Sequence, residues 1–198
     1  MEMDEYVYMR TIREAIYGNV MLYRARESRE EEVAIKMMSA KLMEQKRAAC
    51  GAGVKEDGYK ELAILKLLDP HANVLNLICD FRTQDKESVC LVFEYCPYGE
   101  LFDYMQGYQD ERERKMDDVQ IANWFRQIVH GVMHIHEYGV AHRDLSLENI
   151  LLDKDYTCRI CDFGLATENG ELCSGKVGKP FYMAPEVYTG GQKPYEGT

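Results

Sequence analysis

The alternation of apolar and polar residues divides the chain into a strand-rich first part and a helix-rich second part. Residues 6–12 and 20–26 are rich in aromatic and β-branched side chains and predict two strands joined by a tight loop. Residues 33–37 predict a third strand, and 75–82 with 89–93 a second hairpin, turned at Thr83-Gln84-Asp85-Lys86-Glu87. From Asp57, the positions of Leu62, Ile64, Leu65, Leu67 and Leu68 fit a helix with one buried face. The stretch 38–57 carries Gly51, Gly53 and a basic cluster, and reads as a mobile insertion rather than a site. Residues 93–99 run extended into a turn, a helix begins over 101–108, and the charge run 109–118 reads as a solvated loop. Asp117 or Asp118 then caps a long helix to Tyr138, with Gly139 as its stop. In it Ile121, Trp124, Phe125, Ile128, Val129 and Val132 recur at helical spacing and predict a core-facing stripe. Residues 149–153 and 157–161 predict a short apolar hairpin.

Composition narrows the possibilities. Asp and Glu number 34 against 24 Lys and Arg, a net charge of -10, which argues against a nucleic-acid or anionic-membrane surface as partner. No stretch approaches the roughly 18 consecutive apolar residues of a membrane span. The start Met1-Glu2-Met3-Asp4-Glu5 lacks the basic and apolar regions of a signal peptide. Seven cysteines at irregular spacings do not form a disulfide pattern, so reduced thiols and a cytoplasmic location, or a nuclear one, are expected.

Candidate chemistry centres on His142-Arg143-Asp144-Leu145-Ser146-Leu147-Glu148-Asn149. An Asp and an Asn five residues apart can serve one reaction: the carboxylate accepts a hydroxyl proton while the amide oxygen ligates a metal. Three companions occur in series, Val33-Ala34-Ile35-Lys36, Asp162-Phe163-Gly164 and Ala184-Pro185-Glu186. A strand lysine such as Lys36 would ordinarily be a solvated edge residue, and Glu61 and Glu56 are the two carboxylates considered as its partner. His130 and His134 are spaced i, i+4 but lack the acidic companion of a zinc helix, so a structural role is expected. Cys158 and Cys161 form a lone C-x-x-C, read as strand packing.

With these four motifs in order, the chain resembles a eukaryotic-type protein kinase of the serine/threonine branch. The resemblance implies an α+β, bilobal fold. Its N-lobe, residues 1–95, would hold a five-stranded antiparallel sheet plus one helix, with the insertion near 38–57. A partial, mainly helical C-lobe would occupy 96–198. It implies transfer of the γ-phosphate of Mg-ATP to serine or threonine hydroxyls of a protein substrate. Asp144 would be the base, Asp162 and Asn149 the Mg²⁺ ligands, and Lys36, held by Glu61, the clamp on the α/β-phosphates. Ile12, Gly18, Val20, Ala34, Phe93, Glu94, Cys96 and Leu151 would line the nucleotide site. Glu100 and Glu148 match positions that hold basic substrate residues, and Arg143 implies an activation-loop phosphate placed by an upstream kinase, with Ser174 as acceptor.

Several positions depart from the family. Arg13 and Ala15 stand where the first two glycines of the phosphate-covering loop belong, and only Gly18 remains; the loop is a weaker cover, one that uses Arg13 as a cation, or a plain hairpin. Ser146 occupies the place of a lysine and Lys179 that of its threonine partner, an exchange that leaves Lys179 reaching towards the γ-phosphate or pointing to solvent. The chain ends at Thr198, short of the family's later helices, and reads as a fragment of a longer kinase or a truncated product, with the apolar faces of the 118–138 helix left uncovered. A pseudokinase or scaffold is the alternative function.

Overall fold

A computed structural model describes residues 3–28, 31–110, 116–168, 173 and 176–190. The chain forms two compact units, one from Met1–Leu65 and Asn76–Tyr95, the other from Lys66–Leu75 and Cys96–Thr198. The segment 66–75, placed with the first lobe on sequence grounds, thus groups with the second unit.

In the first unit, β1 (Tyr6–Ala15) and β2 (Gly18–Ala25) form a hairpin that turns over Ile16 and Tyr17. β3 (Glu32–Ser39), β4 (Leu77–Arg82) and β5 (Ser88–Glu94) complete an antiparallel sheet of order β1-β2-β3-β5-β4. Strand side chains alternate between faces. On one face Tyr6, Tyr23, Val33, Ile35, Cys90 and Val92 make a buried cluster, flanked by Met21, Met37 and Phe81. The register Val20↔Lys36↔Leu91 and Leu22↔Ala34↔Phe93 puts those six residues on the opposite face. The outer strand β1 is exposed along most of its length, and two register shifts near Met9 and Ile12 bend it, as suits a sheet edge.

The insertion is folded and contains a short helix, so among the described residues this unit has two α-helices where one was expected. Helix α1 (Ala40–Gln45) starts at Ser39, whose hydroxyl accepts from the Leu42 amide, and stops at Lys46 in a left-handed conformation. Met43 and Ala48 are buried, and Arg47 bridges to Gly53. A six-residue helix shows too little periodicity to be read from sequence; tertiary anchoring determines it. Helix α2 (Gly58–Leu67) is capped by Asp57, whose carboxylate accepts from the amides of Tyr59 and Lys60, both at 3.1 Å.

The second unit contains α3 (Leu101–Asp110), α4 (Asp118–Glu137), the small hairpin β6 (Ile150–Leu152) and β7 (Cys158–Ile160), and α5 (Pro185–Gly190). Asp117 is the cap of α4, accepting from the Val119 amide. Its inward face carries Trp124, Gly131 and Ile135, and packs on β7 and residue 73. The stripe read from sequence is therefore core only in part. Trp124 is buried, but Ile121, Phe125 and Val129 are 41%, 67% and 38% exposed. Helical spacing marks an apolar face, yet burial requires an element to cover it, and among the described residues these three positions have too little cover. No helix among the described residues is long and apolar enough to cross a membrane.

Candidate active site

Each unit brings together some of the residues singled out from sequence. In the first, the Lys36 ammonium on β3 donates to both carboxylate oxygens of Glu61 on α2, at 2.7 and 2.8 Å. The pair is nearly dry, with side chains 14% and 4% exposed. Of the two carboxylates considered for Lys36, Glu61 is the one that binds it. Glu56 instead offers its backbone carbonyl to the Tyr17 hydroxyl.

That Tyr17 contact was not legible in the motifs. Tyr17 sits at the β1–β2 turn, where the family pattern calls for a flexible glycine loop, and it is buried. Its carbonyl accepts from Ser39 and the carbonyl of Ile16 accepts from Ala49, so the folded insertion ties down the tip of the hairpin. Burial, then the charges of Asp57, Glu56 and Glu61, push the phenol above its ordinary value while Lys36 opposes them, so it remains an O–H donor. Gly18 has a packing role here, since a Cβ at that position would overlap the carbonyl of Met37.

Val20, Ala34 and Phe93 share the sheet face of Lys36 through strand register; Phe93 is buried, and Val20 and Ala34 are partly covered. Ile12 lies at a bulge of β1, Glu94 ends β5, and Gly18 opens β2. Cys96 and Leu151 belong to the second unit, where Leu151 bridges to Glu100 and Gly99, at φ 66°, closes a turn on the Cys96 carbonyl.

In the second unit the loop after α4 is held by a buried histidine. His142 Nε2 donates to the Cys161 carbonyl at 3.0 Å, and its Nδ1 accepts from the Asp144 amide at 3.2 Å. Accepting at Nδ1 requires a neutral ring, and complete burial likewise pulls its pKa down, outweighing the Cys161 hydrogen bond and the nearby Asp162 and Asp144 charges. Asn149 directs its amide protons to the Asp144 carbonyl (2.7 Å) and to Asp144 Oδ2 (2.8 Å), which leaves its oxygen end for a cation. The Cys161 amide donates to the Asn149 carbonyl, placing Asp162 next to this cluster. Arg143 and Asp162 both take positive φ values, 66° and 68°, uncommon for residues with a Cβ and frequent at functional loops. Asp144 Oδ1 is buried with no hydrogen-bond partner among the described residues. Leaving a buried acceptor without a donor costs about 1–3 kcal/mol, which a donor reaching it would recover.

No cluster of three or more His, Cys, Asp or Glu able to hold a metal occurs among the described residues. The hard oxygen donors of Asp162 and Asn149 still fit Mg²⁺, which is normally held by one or two protein groups and completes its shell with phosphate oxygens and water. His134 stacks on His71 at 4.5 Å and contacts the Asp69 carbonyl at 2.9 Å, an arrangement that accounts for it structurally. Cys158 is buried on β7 and its thiol is pushed up to about 12 by burial and the charge of Asp153, so it stays protonated.

The activation segment returns to the same loop. Lys179 donates to Ser146 Oγ at 2.6 Å and lies 3.8 Å from Glu148. Residues 143–145 and 177–179, with 182–184, 186 and 187, line an open cavity of about 230 Å³. Thr167 is buried, with its hydroxyl 3.3 Å from Cys173 Sγ. The suggested acceptor Ser174 lies outside the described residues.

Comparison with known proteins agrees with this arrangement. The family model described as the protein kinase domain matches residues 6–198. NUAK family SNF1-like kinase 2 of Homo sapiens is 33% identical over 194 residues, covering 97% of this chain and 28% of that protein. The serine/threonine-protein kinase GIN4 of Saccharomyces cerevisiae is 40% identical over 142 residues, 70% of this chain and 11% of the relative. NUAK family SNF1-like kinase 1 of Mus musculus is 35% identical over 140 residues, 70% of this chain and 20% of that protein. The chain thus spans less than a third of the length of these relatives. The match along nearly its whole length establishes that it belongs to the protein kinase domain family.

Proposed function

We propose that the chain transfers the γ-phosphate of Mg-ATP to serine or threonine hydroxyls of a protein substrate. The observation that carries this reading is the Asp144–Asn149 pair: one carboxylate oxygen fixed by the amide, the other buried and without a hydrogen-bond partner among the described residues. Asp144 Oδ1 accepts the proton of the incoming hydroxyl, and the Asn149 bonds keep the carboxylate from rotating away. Asp162 and the Asn149 oxygen hold the metal. A bound Mg²⁺ supplies charge neutralisation for the phosphate oxygens. Lys36 binds the α/β-phosphates, and Glu61 holds its ammonium in one orientation, so that placement rather than covalent chemistry does most of the catalysis.

The serine/threonine branch is supported by the name of the relative GIN4 and by Leu147-Glu148-Asn149 after Ser146. Glu100 and Glu148 favour basic residues near the acceptor. The buried Arg143 Nε, without a hydrogen-bond partner among the described residues, favours an activation-segment phosphate supplied by an upstream kinase.

A nucleotide-binding module without transfer is the second reading, favoured by the tethered hairpin tip and by Arg13 and Ala15 in place of glycine. Thermal stabilisation and label transfer together separate the two. Mg-ATP should raise the melting temperature, Asp162→Asn should abolish that rise, and serine peptides with flanking arginines should be labelled. Stabilisation without labelling would establish the binding module; no stabilisation at all would remove both.

A further inference from the structure

The activation segment places an ammonium on Ser146, two residues beyond Asp144, and nothing in the four motifs assigns it a task. Gly178, at φ 88°, packs so closely on the loop that a Cβ there would stand 2.6 Å from the Arg143 carbonyl and 3.3 Å from Asp144 Oδ1. Only glycine fits both the conformation and the contact. The next residue, Lys179, therefore leaves the chain alongside Asp144, and both line the same cavity of about 230 Å³. Its Nζ donates to Ser146 Oγ at 2.6 Å, two residues beyond Asp144, and Glu148 Oε2 lies 3.8 Å away. Burial would raise the Glu148 carboxyl, but bonds from its own amide, Ser146 and Tyr182, and the charge of Lys179, hold it below the usual carboxylate range. The ammonium is thus held by a hydroxyl and an anion from one side. Its side chain remains 36% exposed, so it keeps donors for a further partner.

We infer that Lys179 is the cation that contacts the transferring phosphate, with Ser146 as its positioning residue. The inference rests on the phosphotransfer reading above. A transferring phosphoryl group spreads negative charge over its equatorial oxygens, and a preorganised donor next to the base stabilises that charge where it develops. A lysine at position 146 would reach the same point from the loop itself; here the ammonium comes from the facing segment and the hydroxyl from the loop, so the two roles are exchanged between strands of chain. Ser146 does not touch the phosphate; it fixes the lysine.

The test compares wild type with Lys179→Met, Lys179→Thr and the double exchange Ser146→Lys/Lys179→Thr. Lys179→Met should lower kcat by about tenfold or more. The double exchange should recover kcat to within about threefold of wild type, while Lys179→Thr alone stays low. A purely structural lysine would show no such rescue. In parallel, affinity for the β,γ-imido analogue of ATP should fall in Lys179→Met while affinity for Mg-ADP stays level. An unchanged kcat in Lys179→Met, or a double exchange no better than Lys179→Thr, overturns the inference. If wild type transfers no phosphate at all, the transfer reading fails by itself, and the analogue decides the lysine: loss confined to the triphosphate supports contact with the terminal phosphate, and equal affinities overturn it.

Discussion

Replacing Glu61 with Gln keeps the shape of the side chain and removes the charge that balances Lys36. The structure sets the scale of the effect. Two hydrogen bonds at 2.7 and 2.8 Å join side chains only 14% and 4% exposed, so the lysine would face a largely dry pocket without an anion. Breaking a buried pair by removing one partner costs about 3–5 kcal/mol; the residual exposure of Lys36 and the one acceptor kept by Gln bring the expectation to about 2–3 kcal/mol. For a chain of this size that is a fall in melting temperature of about 4–12 °C. Replacing both partners with apolar side chains, Lys36→Met with Glu61→Leu, removes the charges and their desolvation penalty together, so its stability should match or exceed wild type. Scanning calorimetry on the three proteins decides the matter. A Glu61→Gln variant that melts with wild type, or a double variant less stable than the single one, would refute the description of a desolvated ion pair. The double variant should transfer no phosphate, since it lacks the Lys36 ammonium, and Glu61→Gln should transfer less than wild type, since that ammonium is no longer held by an anion.

Three further outcomes follow from contacts elsewhere in the fold. Gly131→Ala should destabilise although alanine is the better helix former: the new Cβ would stand 2.6 Å from the Asn73 carbonyl and 2.8 Å from Ile160 Cδ1. Overpacking should outweigh the propensity gain by about 1 kcal/mol, and a higher urea midpoint would contradict this. Tyr17→Phe should cost about 1 kcal/mol. It should also speed hydrogen exchange at the Ser39 and Ala49 amides, which bond to the hairpin tip, and unchanged exchange would remove the tether from the account. Asp153 accepts from the amides of Asp155 and Thr157, both at 2.9 Å, and from Arg159. Burial would raise its carboxyl, but these partners hold it below the usual range. Its stabilisation is therefore full above the unfolded value of about 3.9 and is lost as pH falls through the lower folded value. Asp153→Asn should melt below wild type at pH 7, with the gap closing below about pH 4; a gap constant down to pH 2 would contradict the assignment.

The sheet and the catalytic loop were largely legible because their signals are local. Alternation marks strands, and the run His142 through Asn149 sets Asp144 and Asn149 five residues apart on one loop. What escaped is set by distant contacts. Helix α1 is too short to show a period, and it folds because Ser39 caps it while Met43 and Ala48 find cover. The tether from Tyr17 joins the hairpin tip to a backbone carbonyl at residue 56, and a backbone acceptor has no side-chain signature. Phe125 and Val129 show the opposite failure: a clear apolar period, but little cover over that side of α4. Lys179 lies between these cases. Its displacement from position 146 was visible in the motif, but its bond to Ser146 needed coordinates.

The most direct test of the central claim is label transfer from γ-labelled Mg-ATP to a serine peptide, measured for wild type and Asp144→Asn under identical conditions. Wild type should yield labelled phosphoserine, and the variant should lose at least about 10²-fold of that labelling. Equal labelling by the two proteins, or none by a wild type saturated with Mg-ATP, would contradict it.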